Sequence, residues 1–434
     1  ALLSRWPEHR LDPTLDRIVE FVQLLGEPQR NYPVIHLTGT NGKTSTARMI
    51  ESLLISVGLR TGRFTSPHLQ SMNERIVIDG QPIDEQAFVD AFNDIAPFTH
   101  MVDASNAHPL SFFETIVAMA YAAFSDAPVD VAVVEVGMGG AWDATNIADG
   151  QVAVLTPIAV DHAAYLGSDP VTIAREKVGI IKPGAEVISA AQLPEVLDVI
   201  AERCTEVGAT LRVEGIDFRV ESRVAAVGGQ VLEIAGPWGH YSDLFLPLYG
   251  AHQAQNVSLA LAAVEAFLGG QALGEQVVSE GFAEMTSPGR LEIVRRSPTI
   301  VLDAAHNPHG ATAVVDALSD SFSFSPLIGV IGVMGDKDVE GLLAAFEPVF
   351  AHVVCTQNST ARALPATELA EIARGIFGGD RVAVATNLVD AIDQATTLAE
   401  AGGVFGEGLG SGGVLVTGSV ITVGEARALI NPQE

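Results

Sequence analysis

The feature that most constrains the fold is a repeated alternation of a short apolar run, a glycine-containing turn and a segment with helical spacing. Its first copy consists of the run Val34–Thr38, the turn Gly39–Lys43 and a helix over about Ser45–Val57. A later run, Val129–Val136, is almost continuously apolar, which is typical of a parallel strand covered on both faces. The alternation therefore predicts an α/β protein with a doubly wound, mostly parallel sheet.

A second series of the same alternation predicts a second domain. The segment Phe218–Pro247 interrupts the first series with short β-rich stretches, which indicate a local antiparallel hairpin region. Thr286–Gly289 contains Pro and Gly and precedes a fresh strand at Ile300–Asp303, so it is the best candidate linker. We predict an N-terminal domain over 1–285 and a smaller, Rossmann-like α/β domain over 290–434, with a cleft between them.

The charge balance excludes one class of partner. The chain has 24 Lys and Arg against 53 Asp and Glu, a formal net charge of −29, whereas nucleic-acid surfaces depend on Lys and Arg. No apolar run reaches the roughly 18 residues of a spanning helix, and the two cysteines lie far apart. We expect a cytoplasmic monomer without a nucleic-acid or membrane partner. A site for anions must gather its few cations locally or use metal ions.

The turn after the first apolar run is a candidate phosphate-binding loop. Gly39–Ser45 reads G-T-N-G-K-T-S and lies between the predicted strand and helix. Glycines let successive backbone N–H groups face one anion, the helix N-terminus adds partial positive charge, and Lys43 can reach outer phosphates. The strict eight-residue pattern fails because Leu37 stands at its first Gly, so a plain turn with a surface lysine stays an alternative.

This loop and a second segment resemble one enzyme family. Thr38–Thr44 is similar to the T-G-T-N-G-K-[TG] loop of the Mur ligase superfamily, whose members form amide bonds through acyl phosphates. Thr65–Leu69 (T-S-P-H-L), followed by Asn73–Ile76 (N-E-R-I), resembles folylpolyglutamate and dihydrofolate synthases within it. The resemblance implies an ATP-dependent ligase that adds L-glutamate to a folate, and to dihydropteroate as well, through an acyl phosphate. Another amide ligase of the superfamily and a nucleotide-switch protein stay alternatives.

A carboxylate at a strand end is the first candidate metal ligand. Glu135 closes the run Val129–Val136 just before a glycine-rich turn, at the sheet edge where ligands bind in such folds. Glu135–Asn146 resembles the family's E-V-G-x-G-G-x-x-D-A-T-N, which implies that Glu135 binds Mg²⁺ and that Ser66 supplies a hydroxyl to the metal. The alternative is a strand-capping Glu in a surface salt bridge.

Two further motifs imply groups at the metal site. The segment from Thr156 to His162 resembles T-x-x-x-x-D-H, which implies that His162 is a second metal ligand. The alternative is an ordinary histidine whose ring is hydrogen-bonded within the protein. Lys177 lies in a segment that resembles R-E-K-x-G-I, whose lysine is carbamylated in the family. Its pattern alone indicates only a solvated, charged helix turn.

The folate and glutamate sites are implied by motifs in both domains. Phe112–Thr115 resembles F-E-x-x-T, which offers Phe113 for stacking on a pterin ring, although aromatic pairs on amphipathic helices usually pack into the core. Glu114 either assists at the second metal or pairs with a cation. Motifs similar to G-x-H-Q-x-x-N, P-G-R-x-E and D-x-A-H-N-P imply roles for Asn256, Arg290, Asp303 and His306. The alternatives are a helix-start amide for Asn256, a domain-locking salt bridge for Arg290 and an Asx-type turn for Asp303. Asp336–Asp338 resembles M-x-D-K-D and is assigned only loosely, to glutamate-side or closure contacts.

Together the resemblance implies one composite site. Its cofactors are Mg²⁺, ATP as a substrate, a monovalent cation and a carbamylated Lys177. The implied residues are Lys43, Lys177 and His306 for catalysis; Gly39, Thr40, Asn41, Gly42, Lys43, Thr44, Ser45, Asn256, Arg290 and Asp303 for ATP; Phe113, Asp143 and Ala144 for folate; and Ser66, Glu135 and His162 for the metal.

Overall fold

Apolar runs of the first half form a parallel sheet whose strands are buried on both faces. The computed structural model describes residues 2–7, 12–401 and 411–431. The strands of this sheet are β1 (Val34–Thr38), β2 (Thr61–Phe64), β3 (Ile76–Ile78), β4 (Gln81–Pro82), β5 (Val131–Glu135), β6 (Gly150–Leu155), β7 (Glu186–Ser189) and β8 (Thr210–Val213). Their order in the sheet is β4-β3-β2-β5-β1-β6-β7-β8. Strands β2, β5, β1, β6, β7 and β8 are parallel, and β3 and β4 extend one edge in antiparallel fashion.

Helices cover both faces of this sheet, as a doubly wound fold requires. They are α1 (Asp16–Leu24), α2 (Lys43–Ser56), α3 (Glu85–Ser105), α4 (Phe112–Asp126), α5 (Ala163–Leu166), α6 (Pro170–Lys177), α7 (Pro194–Val207), α8 (Ala251–Phe267) and α9 (Glu275–Ala283). Because side chains alternate along a strand, Ile35 and Leu37 of β1 join a core with α2 and α8, whereas Val34 joins the core with α4. The mostly parallel, doubly wound sheet is therefore confirmed.

The predicted hairpin region forms a separate three-stranded antiparallel sheet. Its strands are β9 (Arg219–Ala226), β10 (Gly229–Ala235) and β11 (His240–Leu246), in the order β11-β10-β9. Leu232 and Leu246 on its inner face are fully buried in the core that contains α8. The sheet thereby covers the far side of α8, which explains why that helix is buried on almost all sides.

The second series of runs forms a separate sheet with helices on both sides. Its elements are β12 (Glu292–Arg296), β13 (Thr299–Leu302), α10 (Pro308–Ser321), β14 (Leu327–Ile331), α11 (Val339–Phe346), β15 (His352–Cys355), α12 (Ala366–Phe377), β16 (Val382–Val384), α13 (Leu388–Ala401), β17 (Gly413–Thr417) and α14 (Val420–Ile430). The strand order is β12-β13-β17-β14-β15-β16, and only the edge strand β12 runs antiparallel among the described strands. The chain passes between the two sheets in the connection from α9 to β12, which contains the predicted linker.

Some boundaries differ from the prediction for local reasons. Helix α2 begins at Lys43, two residues earlier than predicted, because Gly42 at φ +89° serves as its N-cap. The sequence pattern predicts a helix over Pro170–Ile181, but α6 ends at Lys177 and the chain continues as a tighter 3₁₀ turn over Val178–Ile180. Sequence analysis assigned no helix to α3, whose pattern is interrupted by Pro97. No described helix combines the length and the apolar character that crossing a membrane requires.

A buried ion pair connects α2, the helix that follows the phosphate loop, to the neighbouring strand β2. Arg63 of β2 and Glu51 of α2 form an ion pair of 2.6 Å, with side chains 2% and 5% exposed. Removing one partner of such a pair leaves the other charge buried without compensation.

We expect Glu51→Ala to lower the free energy of unfolding by about 3–5 kcal/mol because Arg63 stays buried and unpaired. Urea unfolding followed by circular dichroism measures this change. Glu206→Ala is the matched control, since Glu206 pairs with Arg203 at the surface of α7 and such pairs contribute less than about 1 kcal/mol. Similar midpoints for the two variants would contradict the stabilising role of the buried pair.

Candidate active site

The turn between β1 and α2 has a conformation that only glycine adopts without strain. Gly39 has φ +145° and Gly42 has φ +89°. A Cβ atom on Gly39 would lie 2.0 Å from Thr156 Oγ1 and 2.8 Å from the Thr156 carbonyl oxygen. These glycines let the chain pass close to the end of β6 and then open directly into α2, whose N-terminus faces a cavity of about 630 Å³. The geometry suits a bound phosphate.

Two lysine ammonium groups converge on this turn. Lys43 Nζ donates to the carbonyl oxygens of Gly39 (3.1 Å) and Thr40 (3.2 Å), and Lys177 Nζ donates to Gly39 O at 2.8 Å. Lys177 is only 4% exposed, so the interpretation of its segment as a solvated surface turn is wrong. Burial, followed by the charge of Lys43, lowers the pKa of Lys177 to about 7. Burial also lowers the pKa of Lys43, against the opposing charges of Glu135 and Asp161.

A glycine-rich segment brings Lys177 to this position. A Cβ on Gly140 would lie 2.6 Å from the Lys177 carbonyl oxygen, and a Cβ on Gly179 would lie 2.4 Å from the Cβ of Ala141. The end of α6 can approach the turn after β5 only because Gly140 and Gly179 have no side chains at these two contacts. The motif that begins at Glu135 therefore also helps to position Lys177, which lies at the end of α6.

Glu135 is a buried carboxylate beside the phosphate loop. It is 2% exposed and accepts hydrogen bonds from Thr44 Oγ1 at 3.0 and 2.9 Å and from the backbone N–H of Ser66. Burial raises the pKa of Glu135, although the charge of Lys43 and the Thr44 hydroxyl oppose the shift. The alternative of a surface salt bridge is therefore wrong. Hard oxygen atoms from Glu135, Thr44 and Ser66 are the kind of ligands that Mg²⁺ prefers.

His162 lies at the same cavity but does not complete a dense metal cluster. Within the described ranges, no group of three or more His, Cys, Asp or Glu side chains could hold a metal ion. The residues fit Mg²⁺ nonetheless, because this ion keeps several waters and binds few protein groups when a nucleotide supplies phosphate oxygens. Burial, followed by the charge of Lys337, lowers the pKa of His162 to about 4, so its ring is neutral and can accept a metal.

The first cavity gathers residues from both domains. It contains every residue that the resemblance implies for ATP, together with Ser66, Glu135, His162, Lys177 and His306. Proximity is thus established, whereas the individual roles stay predictions. The Ser45 hydroxyl already has a partner, because it lies 3.0 Å from Ser287 Oγ in the connection between the domains.

The structural alternatives given for Arg290 and Asp303, both in the second domain, have different outcomes. Arg290 forms no ion pair with any described residue, so the alternative of a domain-locking salt bridge is wrong, and the residue lines the first cavity. Asp303 accepts hydrogen bonds from the backbone N–H groups of Leu291 (2.9 Å) and Ala305 (2.8 Å). Its carboxylate therefore forms the Asx-type turn that was the alternative, while the residue still lines the cavity.

A second cavity of about 500 Å³ adjoins the first. Phe113, Asp143, Ala144 and Trp142 line it. Phe112 is buried in the core, whereas the Phe113 ring packs on Gly137, where a Cβ would lie 2.4 Å from its Cζ. The two cavities share the residues at which they meet: Ser66, Pro67, Gly137, Met138, His162, His306 and Val420. A ligand in the second cavity can therefore extend toward the phosphate loop.

Asp143 is less available to a ligand than the motif suggests. Its carboxylate accepts hydrogen bonds from Thr145 N (3.0 Å), Thr145 Oγ1 (2.5 Å) and Met138 N (2.9 Å). Burial raises the pKa of Asp143, and these hydrogen bonds oppose the shift. The side chain holds the turn after β5 in place, so direct contact with a pterin stays a prediction.

Sequence reasoning missed two residues that line the cavities. His252 lies in the G-x-H-Q-x-x-N motif itself, and burial, followed by the charge of Arg290, lowers its pKa to about 4. Arg17 of α1 lines the second cavity and donates to Glu114 at 3.0 Å, which confirms the cation-pairing alternative for that glutamate. The motif was a usable signal for His252, but no local pattern marks Arg17.

Comparison with known proteins extends these observations. The model of the Mur ligase middle domain matches residues 37–264, and that of the Mur ligase glutamate ligase domain matches residues 289–420. A dihydrofolate synthase/folylpolyglutamate synthase from Mycobacterium tuberculosis is 51% identical over 98% of this chain and 92% of its own length. The Escherichia coli protein of the same name is 34% identical over 83% of this chain and 81% of its own length. The structure of the M. tuberculosis folylpolyglutamate synthase complexed with ADP has a TM-score of 0.96 at 50% identity, covering 100% of this chain and 97% of that one.

We expect Gly39→Ala to weaken ADP binding by about 10-fold or more, because the new Cβ meets the Thr156 backbone and displaces the turn. Isothermal titration calorimetry measures the affinity. Gly58→Ala is the control, since Gly58 also has a positive φ, +95°, but no atom lies within 4 Å of the position that its new Cβ would take. Equal ADP affinities for the two variants would show that the Gly39 turn does not bind the nucleotide.

Proposed function

Because the chain belongs to the Mur ligase family, we propose that it is an ATP-dependent ligase that joins L-glutamate to a folate and to dihydropteroate. The observation that carries the proposal is the junction of two cavities: the phosphate loop lines the first cavity, and residues of both domains line the shared wall. The relatives named dihydrofolate synthase/folylpolyglutamate synthase cover nearly the whole chain, which supports the same substrates here.

The nucleotide end of the reaction follows from the loop. Backbone N–H groups at the start of α2 and the Lys43 ammonium offset the charge of the terminal phosphates. Mg²⁺, held by Thr44, Ser66, Glu135 and His162, would supply further charge neutralisation and orient the terminal phosphoryl group. In an acidic protein, these few groups provide the local positive potential that an anionic substrate requires.

The acceptor end follows from the second cavity. A flat pterin ring against Phe113 directs the rest of the folate toward the shared wall near Ser66 and His162. There a carboxylate oxygen attacks the γ-phosphorus, the bond to the bridging oxygen of ADP breaks, and an acyl phosphate forms. The amine of glutamate then attacks the acyl carbon, loses a proton and expels inorganic phosphate. His306 of the second domain lines both cavities and can stabilise the developing negative charge.

Closing the two domains around the cavities protects the acyl phosphate. Water that reached this intermediate would hydrolyse it, so exclusion of water is part of the function. The proposal also includes that the enzyme acts as a cytoplasmic monomer. It further includes stimulation by a monovalent cation, which is tested by measuring activity with and without K⁺.

We further propose that Lys177 is carbamylated in the active enzyme. Its lowered pKa of about 7 makes the neutral amine that reacts with CO₂ abundant at neutral pH. The carbamate anion would replace one of two cations that meet at Gly39 and would add an oxygen donor beside the metal site.

The decisive test of the proposed function is ADP release from ATP in the full chain. We expect release only when glutamate and a folate or dihydropteroate are both present. Lys43→Ala should reduce turnover by about 10³-fold or more, because the transferred phosphoryl group loses a positioned cation. Lys182→Ala is the control, since this lysine donates to Asn146 O and lies outside both cavities. ADP release that ignores the pterin substrate would reject the proposal.

For Lys177, we expect turnover to fall in CO₂-depleted buffer and to recover when bicarbonate is added. Lys177→Ala should be inactive and partly restored by a short carboxylate such as acetate, which can occupy the place of the carbamate. A ¹³C carbamate signal after addition of ¹³C-bicarbonate reports the modification directly. Full activity without CO₂ and no such signal would contradict the carbamylation.

A further inference from the structure

Asp161 belongs to the first domain, but most of its side-chain contacts come from the second. Its Oδ1 accepts hydrogen bonds from Lys337 Nζ at 2.6 Å and from the backbone N–H of His162 at 2.7 Å. Its Oδ2 accepts one from Asn307 Nδ2 at 3.1 Å and lies 3.3 Å from His306 Nε2. The Asp161 side chain is 9% exposed, so these contacts are largely shielded from water.

These contacts leave Asp161 no capacity to act as a metal ligand. A carboxylate accepts about four hydrogen bonds, and each oxygen of Asp161 already faces two donors. The neighbouring His162 is the residue of this motif that faces a cavity without such partners among the described side chains. The Asp161 carboxylate therefore acts as a hydrogen-bond acceptor for the residues around it.

Asp161 and a backbone carbonyl hold the ring of His306 from both sides. His306 Nδ1 lies 2.9 Å from Ala304 O, and Nε2 faces Asp161. The two contacts fix the plane of the His306 ring, and each of its nitrogens already has a partner.

Asn307 extends the network to the phosphate loop. Its Nδ2 donates both to Asp161 Oδ2 and to Asn41 Oδ1, each at 3.1 Å. Its Oδ1 accepts from the backbone N–H of Gly310 at 2.8 Å and caps α10. The start of α10, the loop residue Asn41 and Asp161 are therefore linked through a single amide whose polar atoms are fully used.

Lys337 retains hydrogen-bonding capacity on the cavity side. An ammonium group has three donors, and Asp161 accepts one of them. Lys337 and His306 both line the second cavity near its junction with the first. A dicarboxylic amino acid entering there needs cations for its carboxylates, and few are available in this acidic chain.

We propose that Asp161 is a positioning residue for the amino-acid step: it holds Lys337 across the cleft so that the Lys337 ammonium group binds incoming glutamate in the closed enzyme. This inference rests on the proposed function. The competing reading is that Asp161 only occupies the place of a substrate carboxylate and is displaced when glutamate binds. The two readings predict opposite changes in the KM for glutamate.

The test uses Asp161→Asn, which keeps the size of the side chain but turns a nitrogen toward groups that are themselves donors. We expect the KM for glutamate to rise about 10- to 100-fold, since small misplacements of binding groups have effects of this size. The KM for ATP and the affinity for ADP should change less than about 3-fold. Asp320→Asn is the matched control, because Asp320 pairs with Arg223 across the same domain boundary but lines neither cavity.

A double-variant cycle tests whether Asp161 acts through Lys337. The loss in kcat/KM for glutamate in Asp161→Asn with Lys337→Met should be no greater than in Lys337→Met alone. Additive losses, an unchanged KM in Asp161→Asn or a lower KM would each overturn the proposal, and the lower KM would favour displacement.

A measurement without turnover separates this inference from the proposed function. With the ATP analogue AMPPCP and Mg²⁺, small-angle scattering should give a larger radius of gyration for Asp161→Asn than for the wild-type chain and Asp320→Asn. Equal radii would overturn the positioning role. A wild-type chain that closes but shows no pterin-dependent turnover would instead reject the proposed function.

Discussion

The carbonyl oxygen of Gly39 is the point on which the active-site architecture depends. The half-buried Lys43 and the buried Lys177 both donate to it, and α2 begins four residues later. These ammonium groups provide the local positive charge that an anionic substrate needs in a protein with a net charge of −29. Gly39, Gly140 and Gly179, all in the first domain, let the backbones around this site approach closely enough.

The two domains contribute different parts of the chemistry. The first domain supplies the phosphate loop after β1, the buried Glu135 at the end of β5 and the wall around Phe113 at the start of α4. The second supplies Arg290, which lines the first cavity, and His306, which lines both. Since neither domain alone encloses both cavities, the relative position of the domains decides whether the site is complete. Such an arrangement couples substrate binding to the exclusion of water.

Much of the architecture was predictable from patterns along the chain. The apolar run before Gly39 and the turn after it predicted β1 and the start of α2 to within two residues, because parallel strands and helix starts have strong local signatures. The long helix α3 was missed because Pro97 interrupts its pattern. The predicted environment of Lys177 was wrong. The residues near it in the sequence indicate a surface turn, whereas packing against Gly140 buries it.

By itself, the sequence determined the fold class, the place of the phosphate loop and the set of residues around it, because each depends on short-range spacing or on a motif. Only the tertiary structure decided which polar groups are free to act. It showed that the Asp143 carboxylate is occupied by its own turn, that Glu135 bonds to Thr44, and that Asp161 meets Lys337, 176 residues away. The physical reason is that hydrogen-bond partners and burial arise from contacts between distant segments, which no local pattern records.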